Sequence, residues 1–326
     1  MYYPNDIEEV CYEPDHMKQV TQEIKKKFNY YFDLYLETEA GSKITTEKLM
    51  EIAAALGSTQ TPKIKKVTDK GKVLKSIIKE EIHSFEKNQE SYLEIMDDEM
   101  LEEHEEDPPN FKNNVLKYHC PIINGTLQNK RAKELDKYRA EFRRADPNKL
   151  LSVVTNLSNF AIEYIENIYD EETYDDIQSL DELGFSPLDT SEYTAFGVIG
   201  GGIKSHLVYK TNPAVFPNRS REAIWALWYL TNKKSFDCQE DSEFLMIDTE
   251  KSITQQNFFY PYELFTFYAF QIYKMMKEEA EKLDVYLNPD YRYVFVDSFL
   301  SFVAKMHNEE INFLKRMFKE DGYGFH

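Results

Sequence analysis

Residues 148–169 read NKLLSVVTNLSNFAIEYIENIY. An α-helix has 3.6 residues per turn, so side chains three or four positions apart lie on the same face. The apolar residues of this stretch follow that spacing: they are Leu150, Val153, Val154, Leu157, Ala161, Ile165 and Ile168. The pattern predicts one long amphipathic helix that buries its apolar face in a core.

The same periodicity recurs on both sides of this stretch. It predicts further helices at residues 17–36, 45–56, 223–230, 262–283 and 293–318. Residues 130–144 predict a basic helix, and residues 118–125 are typical of a loop or a short hairpin. The sequence therefore predicts a mainly α, multi-helical fold.

A change in the sign of charge divides the chain near residue 110. Residues 63–79 are basic, and the acidic residues 86–107 that follow end at Pro108 and Pro109. Like charges resist compaction, and two consecutive prolines end a helix. We expect an N-terminal helical region with an acidic linker, residues 1–110, and a larger C-terminal helical domain, residues 111–326.

The composition restricts the class of protein. The formal net charge is −19 over 326 residues, which favours solubility and repels polyanions at long range. The three cysteines form no Cys-x-x-Cys pair, so neither a disulfide framework nor a metal site is expected, and no cofactor is predicted. No signal sequence and no apolar run of about 18 residues can be found. These features predict a cytoplasmic protein with no membrane partner.

One segment of the C-terminal region combines glycines with positive charge. Three consecutive glycines lie at the predicted start of a helix, where the first amides have no internal acceptor and can bind a phosphate. Residues 203–234 contain six Lys or Arg residues and one acidic residue, a local charge of +5. The predicted phosphate-binding residues are Gly200, Gly201, Gly202, Lys204, His206, Arg219 and Arg221.

The order of residues in this segment resembles a known DNA-binding element. Ile199, the three glycines and Ile203, followed by Leu207 and Val208, resemble the turn and second helix of a helix-hairpin-helix. The downstream sequence resembles the loop and following helix of base-excision DNA glycosylases, through Asn212-Pro213, Phe216-Pro217 and Arg219-x-Arg221. The resemblance covers residues 196–230 and implies that the glycine amides contact a DNA phosphate with Lys204 beside them. No Lys or Asp matches a glycosylase catalytic position, so the activity is not implied.

Three functions are compatible with these patterns. The first is a nucleic-acid-associated protein, of the kind used in phage defence or genome maintenance, that contacts phosphates through the glycine turn and basic helix. The second is a non-enzymatic interaction or regulatory protein whose acidic surface binds a basic protein partner. The third is a nucleotide-binding enzyme, although the sequence contains no P-loop, HExxH or GxSxG motif. The glycine segment is also typical of close helix packing.

Overall fold

The structure is a computed structural model that describes residues 9–37, 69–236, 238 and 260–320. Within these residues the regular structure is helical, which confirms the predicted mainly α fold. The helix predicted at residues 45–56 lies outside them. The numbered helices are α1 (Pro14–Glu37), α2 (Lys70–Glu86), α3 (Gln89–Ile95), α4 (Asp98–Glu103), α5 (Pro121–Gln128), α6 (Asp136–Arg144), α7 (Pro147–Asn167), α8 (Gly201–Thr211), α9 (Arg221–Leu230), α10 (Tyr262–Lys282), α11 (Arg292–Met306) and α12 (Asn308–Glu320).

Helix α7 is the amphipathic helix that the sequence predicts at residues 148–169. It begins at Pro147, whose missing amide hydrogen is not needed in a first turn, and the Asp146 side chain accepts a hydrogen bond from the Asn148 amide at 3.0 Å. Its predicted apolar face is buried, with Leu150, Val153, Val154 and Leu157 fully enclosed. Two residues of that face are exceptions: Ile165 is half-buried, and Ile168 is exposed because the helix ends at Asn167.

Helix α9 lies at the centre of the core, where it packs against α1 and α11. Every residue from 223 to 230 is buried, so these residues present no face to solvent. The helix carries both tryptophans of the chain, Trp225 and Trp228, whose rings meet edge to face at 5.3 Å between centroids. Burial on all sides explains why apolar residues are continuous in this helix rather than periodic.

The C-terminal helix predicted at residues 293–318 is two helices, and that part of the prediction is wrong. Helix α11 ends at Met306, and α12 begins at Asn308. At the break, the His307 ring stacks on Tyr229 at 3.7 Å between centroids, and its Nε2 lies 2.8 Å from the Tyr31 hydroxyl. These two contacts lie at a break between two helices that the apolar periodicity does not reveal.

The loop or hairpin predicted at residues 118–125 is also wrong. Residues Phe111–His119 form a π-helix, and α5 follows it directly from Pro121. Proline is suited to the first turn of a helix, so the Cys120-Pro121 pair marks a new helix start. Gly125 lies within α5, where an added Cβ would meet open space. The turn-forming residues of this stretch therefore lie in or beside helices.

Helices from both sides of residue 110 pack against each other. Pro108 and Pro109 open a single helical turn capped by Asp107, and the next residue after that turn, Phe111, is fully buried. Helix α4 lies against α7, where the Ser158 hydroxyl donates to the Asp98 carboxylate at 3.2 Å. The division at residue 110 stays a prediction. Among the described helices, none is long and apolar enough to cross a membrane.

Candidate functional site

The three glycines form the start of α8, as the sequence predicts. Gly200 is the N-terminal cap residue and has an extended backbone with φ −97°. Because glycine has no side chain, the cap residue provides no acceptor for the first amides of the helix. All three glycines are half-buried, and a Cβ on Gly200 would meet open space. The left-handed glycine of this segment is instead Gly197, with φ +81°, where a Cβ would lie 3.0 Å from the Glu141 side chain. The turn therefore exposes part of a helix N-terminus without needing an unusual backbone at Gly200.

The two cations nearest this turn face the interior. Lys204 is 4% exposed, donates to the Leu188 carbonyl, and lies 4.0 Å from an Asp189 carboxylate oxygen. Burial lowers the pKa of Lys204 to about 8, although Asp189 opposes the change. Arg219 is 2% exposed, and burial lowers its pKa to about 10, again opposed by Asp189. Asp189 thus provides internal compensation for two of the predicted phosphate contacts.

Asp189 also caps the start of another helix. Its carboxylate accepts hydrogen bonds from the backbone amides of Tyr262 at 2.7 Å and Glu263 at 3.1 Å, at the start of α10. A carboxylate in that position satisfies amides that have no partner within the helix and interacts favourably with its positive end. The group formed by Asp189, Lys204 and Arg219 therefore joins the starts of α8 and α10 to the segment before α9.

His206 points toward the interior as well. Its Nδ1 lies 3.4 Å from the Asn218 amide oxygen, and its ring meets Tyr92 edge to face at 5.3 Å. The Asn218 amide nitrogen in turn donates to Asp297 of α11 at 3.0 Å. Burial lowers the pKa of His206 to about 4 and raises the pKa of Asp297 to about 7. His206 is therefore neutral at pH 7 and adds no positive charge to the glycine turn.

The remaining predicted contact, Arg221, is the first residue of α9 and is half-buried. The segment before it lies along α8, because a Cβ on Gly202 would lie 3.9 Å from the Arg219 carbonyl oxygen. The structure therefore brings the glycine turn and Arg219 together, as the prediction requires. In the structure, the charged groups of Lys204 and Arg219 lie on the buried side of the contact between the glycine turn and Arg219.

A groove with a volume of about 420 Å³ lies elsewhere, between α7 and the segment that joins α3 to α4. Its apolar lining includes two exposed side chains, Leu93 at 47% and Ile162 at 37% of their full accessible surface. Met96, Ala161 and Ile165 complete the apolar part, and Ser158, Thr211 and Asn212 are the neutral polar part. The depression therefore combines exposed apolar side chains with neutral polar ones.

Three acidic side chains lie at this groove. Asp97, Asp98 and Glu99 line it directly. Residues 88–107 contain ten Asp or Glu residues and no Lys or Arg, and all ten are exposed. Asp97 caps α4 by accepting from the Met100 amide, and Asp98 accepts from Ser158, so these two have structural partners. Asp97, Asp98 and Glu99 give the groove a negative rim, and the other acids of residues 88–107 are exposed elsewhere on this stretch.

A group of potential metal ligands lies in the interior. Among the described residues, the side chains of Cys11, His16 and Cys238 offer ligand atoms within 4.8 Å of one another. The sequence gives no spacing signature for this group, because 227 positions separate the two cysteines. The only signal in the sequence is the proximity of Cys11 and His16, which does not define a metal motif.

No family model matches the chain, and the searches of curated proteins and of solved structures also returned no match. The geometry of the described residues is therefore the basis for a functional assignment.

Proposed function

We propose that this protein is a non-enzymatic interaction protein whose acidic groove binds a basic, amphipathic helix of a partner protein. The observation that carries the proposal is the combination, in one depression, of exposed Leu93 and Ile162 with the acidic rim of Asp97, Asp98 and Glu99. An amphipathic helix docks by placing its apolar face in such a groove. A basic polar face on that helix matches the sign of the rim.

The dimensions of the groove suit a short helical contact. Its α7 wall runs from Ser158 to Ile165, and eight residues of helix are roughly 12 Å long. A partner helix lying along this wall presents about two turns, with anchor side chains at positions i, i+3 or i+4, and i+7. The groove therefore takes two or three apolar anchors, which supports a weak or transient complex rather than an obligate one.

The negative charge of this surface supports the choice of a basic partner. The ten exposed acids of residues 88–107 attract a basic segment and repel an acidic one, which raises the association rate and suppresses wrong partners. The same acids disfavour a nucleic-acid backbone at this surface. Such an interaction is screened by salt, so the affinity of the complex falls as ionic strength rises.

The experiment that tests the proposal is a fluorescence-anisotropy titration of the full chain with a synthetic Lys/Leu amphipathic helical peptide. A peptide of the same composition with its leucines scrambled off one face is the specificity control. We expect binding of the first peptide and weak binding of the second. Equal binding of the two peptides would show that charge alone acts and would reject the groove.

A matched pair of variants locates the contact. Ile162 lines the groove, whereas Ile168 is also exposed but lies beyond the end of α7 and lines a different depression. We expect Ile162→Ser to weaken peptide binding about tenfold and Ile168→Ser to leave it unchanged, because only the first removes apolar area from the contact. The same loss in both variants would place the peptide elsewhere.

The nucleic-acid hypothesis and the nucleotide hypothesis share another location, the half-buried amides at the start of α8. The observation that favours them is that Gly200 leaves this helix without a side-chain cap, with open space beside its Cα. Against this, Lys204 and Arg219 face Asp189. A phosphate contact through Gly200, Gly201, Gly202 and Arg221, in phage defence, genome maintenance or nucleotide chemistry, therefore stays a second proposal. Titration of the full chain with short DNA and RNA tests it.

A further inference from the structure

Three side chains from distant parts of the chain converge in the core. Cys11 lies in the helical turn Glu9–Tyr12, His16 lies in the first turn of α1, and Cys238 follows α9. All three are buried, with exposures of 0%, 5% and 7%. The two sulfur atoms are 3.5 Å apart, and all three ligand atoms lie within 4.8 Å of one another. Cysteine and histidine are the side chains that zinc prefers.

The spacing of the sulfurs resembles a metal site more than a covalent bond. A disulfide has a sulfur–sulfur distance of about 2.05 Å. In tetrahedral zinc coordination, with zinc–sulfur bonds of about 2.3 Å, two sulfur ligands lie about 3.8 Å apart. The observed 3.5 Å between Cys11 and Cys238 is close to the second value. A sulfur and an imidazole nitrogen on one zinc ion lie about 3.5 Å apart, a separation that falls within the 4.8 Å enclosing the three ligand atoms.

The ligand set also solves the electrostatic problem of a buried cation. A divalent ion in an apolar interior carries a large desolvation cost unless its charge is compensated. Each cysteine binds as a thiolate after losing one proton to solvent, and histidine binds as the neutral imidazole. Two thiolates and one imidazole therefore form a site of zero net charge with a divalent cation. This is the combination that Cys11, Cys238 and His16 provide.

One further contact fixes the imidazole. The Phe236 ring meets the His16 ring edge to face, with 5.9 Å between centroids and 63° between planes. Phe236 is only two positions before Cys238, so the segment that supplies a sulfur also helps to orient the nitrogen ligand. An oriented imidazole loses little freedom when it binds a metal.

We propose that Cys11, His16 and Cys238 bind one thiophilic divalent cation of the zinc class. The metal contributes stability by joining the turn before α1 to the segment after α9, which are 227 positions apart in the chain. Water or another ligand occupies the fourth coordination position of a tetrahedral ion. The proposal is independent of the acidic groove, since no residue of the group lines that groove.

Metal analysis of the purified full chain tests this proposal, and the third cysteine provides the control. Cys120 is as buried as Cys11 but lies outside the group. After purification without chelator and dialysis against zinc under reducing conditions, we expect about one zinc ion per chain in the wild type and in Cys120→Ala. We expect less than about a tenth of that in Cys11→Ala and in Cys238→Ala. Equal zinc in all four proteins, or none in the wild type, would overturn the site.

A measurement on the wild type alone covers the case in which the variants fail to fold. Cobalt added to the reduced, metal-free full chain should give thiolate-to-metal charge transfer in the near ultraviolet and the strong visible bands of tetrahedral cobalt. Both should saturate at one equivalent and disappear when zinc is added. Absence of these bands would overturn the proposal. So would a Cys11–Cys238 disulfide detected by mass spectrometry in protein isolated without oxygen, since that result assigns a redox pair.

Discussion

The basic segment at residues 203–234 and the acidic residues 88–107 are both charge-rich, yet three of the six cations of the first, Lys204, Lys210 and Arg219, are buried. Lys204 and Arg219 of the basic segment are almost completely buried and face Asp189. All ten acids of residues 88–107 are exposed. A count of charges along the chain gives the sign of a segment, but burial decides whether a partner can meet that charge. The comparison favours a partner for the acidic surface.

The largest expected effect tests the interior position of Lys204. In Lys204→Ala, the Leu188 carbonyl loses its donor and Asp189 loses a cation in a buried setting. We expect the free energy of unfolding to fall by about 3 kcal/mol, because breaking a buried pair leaves an uncompensated group. Urea unfolding followed by circular dichroism measures it, with the exposed Lys75→Ala as the control. A cost no larger than that of the control would place Lys204 at the surface and break the comparison.

The second prediction uses pH to test the polar interior beside the basic segment. Burial raises the pKa of Asp297 to about 7, so between about pH 4 and pH 7 the folded protein holds a proton that the unfolded chain has released. The contribution of Asp297 to stability therefore decreases as pH rises through that window. Asp297→Asn cannot ionise and can still accept from Asn218. We expect its stability relative to the wild type to be about 2 kcal/mol more favourable at pH 8 than at pH 5.

Denaturant unfolding at the two pH values measures this difference. Asp181→Asn, at an exposed position, is the control for a general effect of removing a carboxylate. If Asp297→Asn and the control change in parallel between pH 5 and pH 8, the chain from His206 through Asn218 to Asp297 is open to water.

The third prediction tests the acidic side of the comparison. In Glu94→Gln/Glu99→Gln/Glu102→Gln, three exposed charges are removed from α3 and α4. Asp97, which caps α4, and Asp98, which accepts from Ser158, stay intact. Exposed charge pairs contribute about 0.5 kcal/mol each, so we expect roughly tenfold weaker binding of the basic helical peptide at low salt. The matched control, Glu171→Gln/Glu278→Gln/Glu281→Gln, changes the net charge equally at exposed positions outside the groove. Equal losses would indicate that only net charge matters.

The smallest expected effect concerns the glycine turn. In the full chain we expect affinity for short single- and double-stranded DNA and RNA at least tenfold below that for the basic peptide, because Lys204 and Arg219 face inward. Gly200→Ala should fold with a cost below about 1 kcal/mol, since the Cβ meets open space. Fluorescence anisotropy at low and moderate salt measures both. Tight, salt-sensitive DNA binding that is lost in Arg221→Glu would favour the phosphate hypothesis instead.

The sequence predicts a helix most clearly where only one face of the helix packs against the core. The face of α7 that contains Leu150 and Leu157 is buried as the period of 3.6 predicts. The break at His307 was not readable, because apolar residues continue on both sides and the cause is a stack on Tyr229, a residue far away in the chain. The sequence predicts Pro121 in a loop, whereas in the structure Pro121 begins a helix, as proline often does.

The candidate site could be predicted from the sequence only in part, for a different reason. The glycines do begin a helix, but the direction of the Lys204 side chain depends on Asp189, fifteen residues earlier, and on the burial of both. The acidic residues 88–107 were visible as charge, whereas Leu93 and Ile162 line one groove only in the folded structure, where α4 packs against α7. The group of Cys11, His16 and Cys238 depends on a contact across 227 positions, which no local pattern encodes.

The position of both tryptophans in α9 determines what optical spectroscopy can report. Trp225 and Trp228 are buried on a single helix, so the intrinsic fluorescence of the protein samples one place in the middle of the core. Emission wavelength will respond when that centre opens to water. Local fraying of the α3–α4 surface, or a peptide seated there, leaves both indole rings in the same surroundings. Tryptophan emission therefore serves as a global integrity signal that is silent toward the surface where we expect binding.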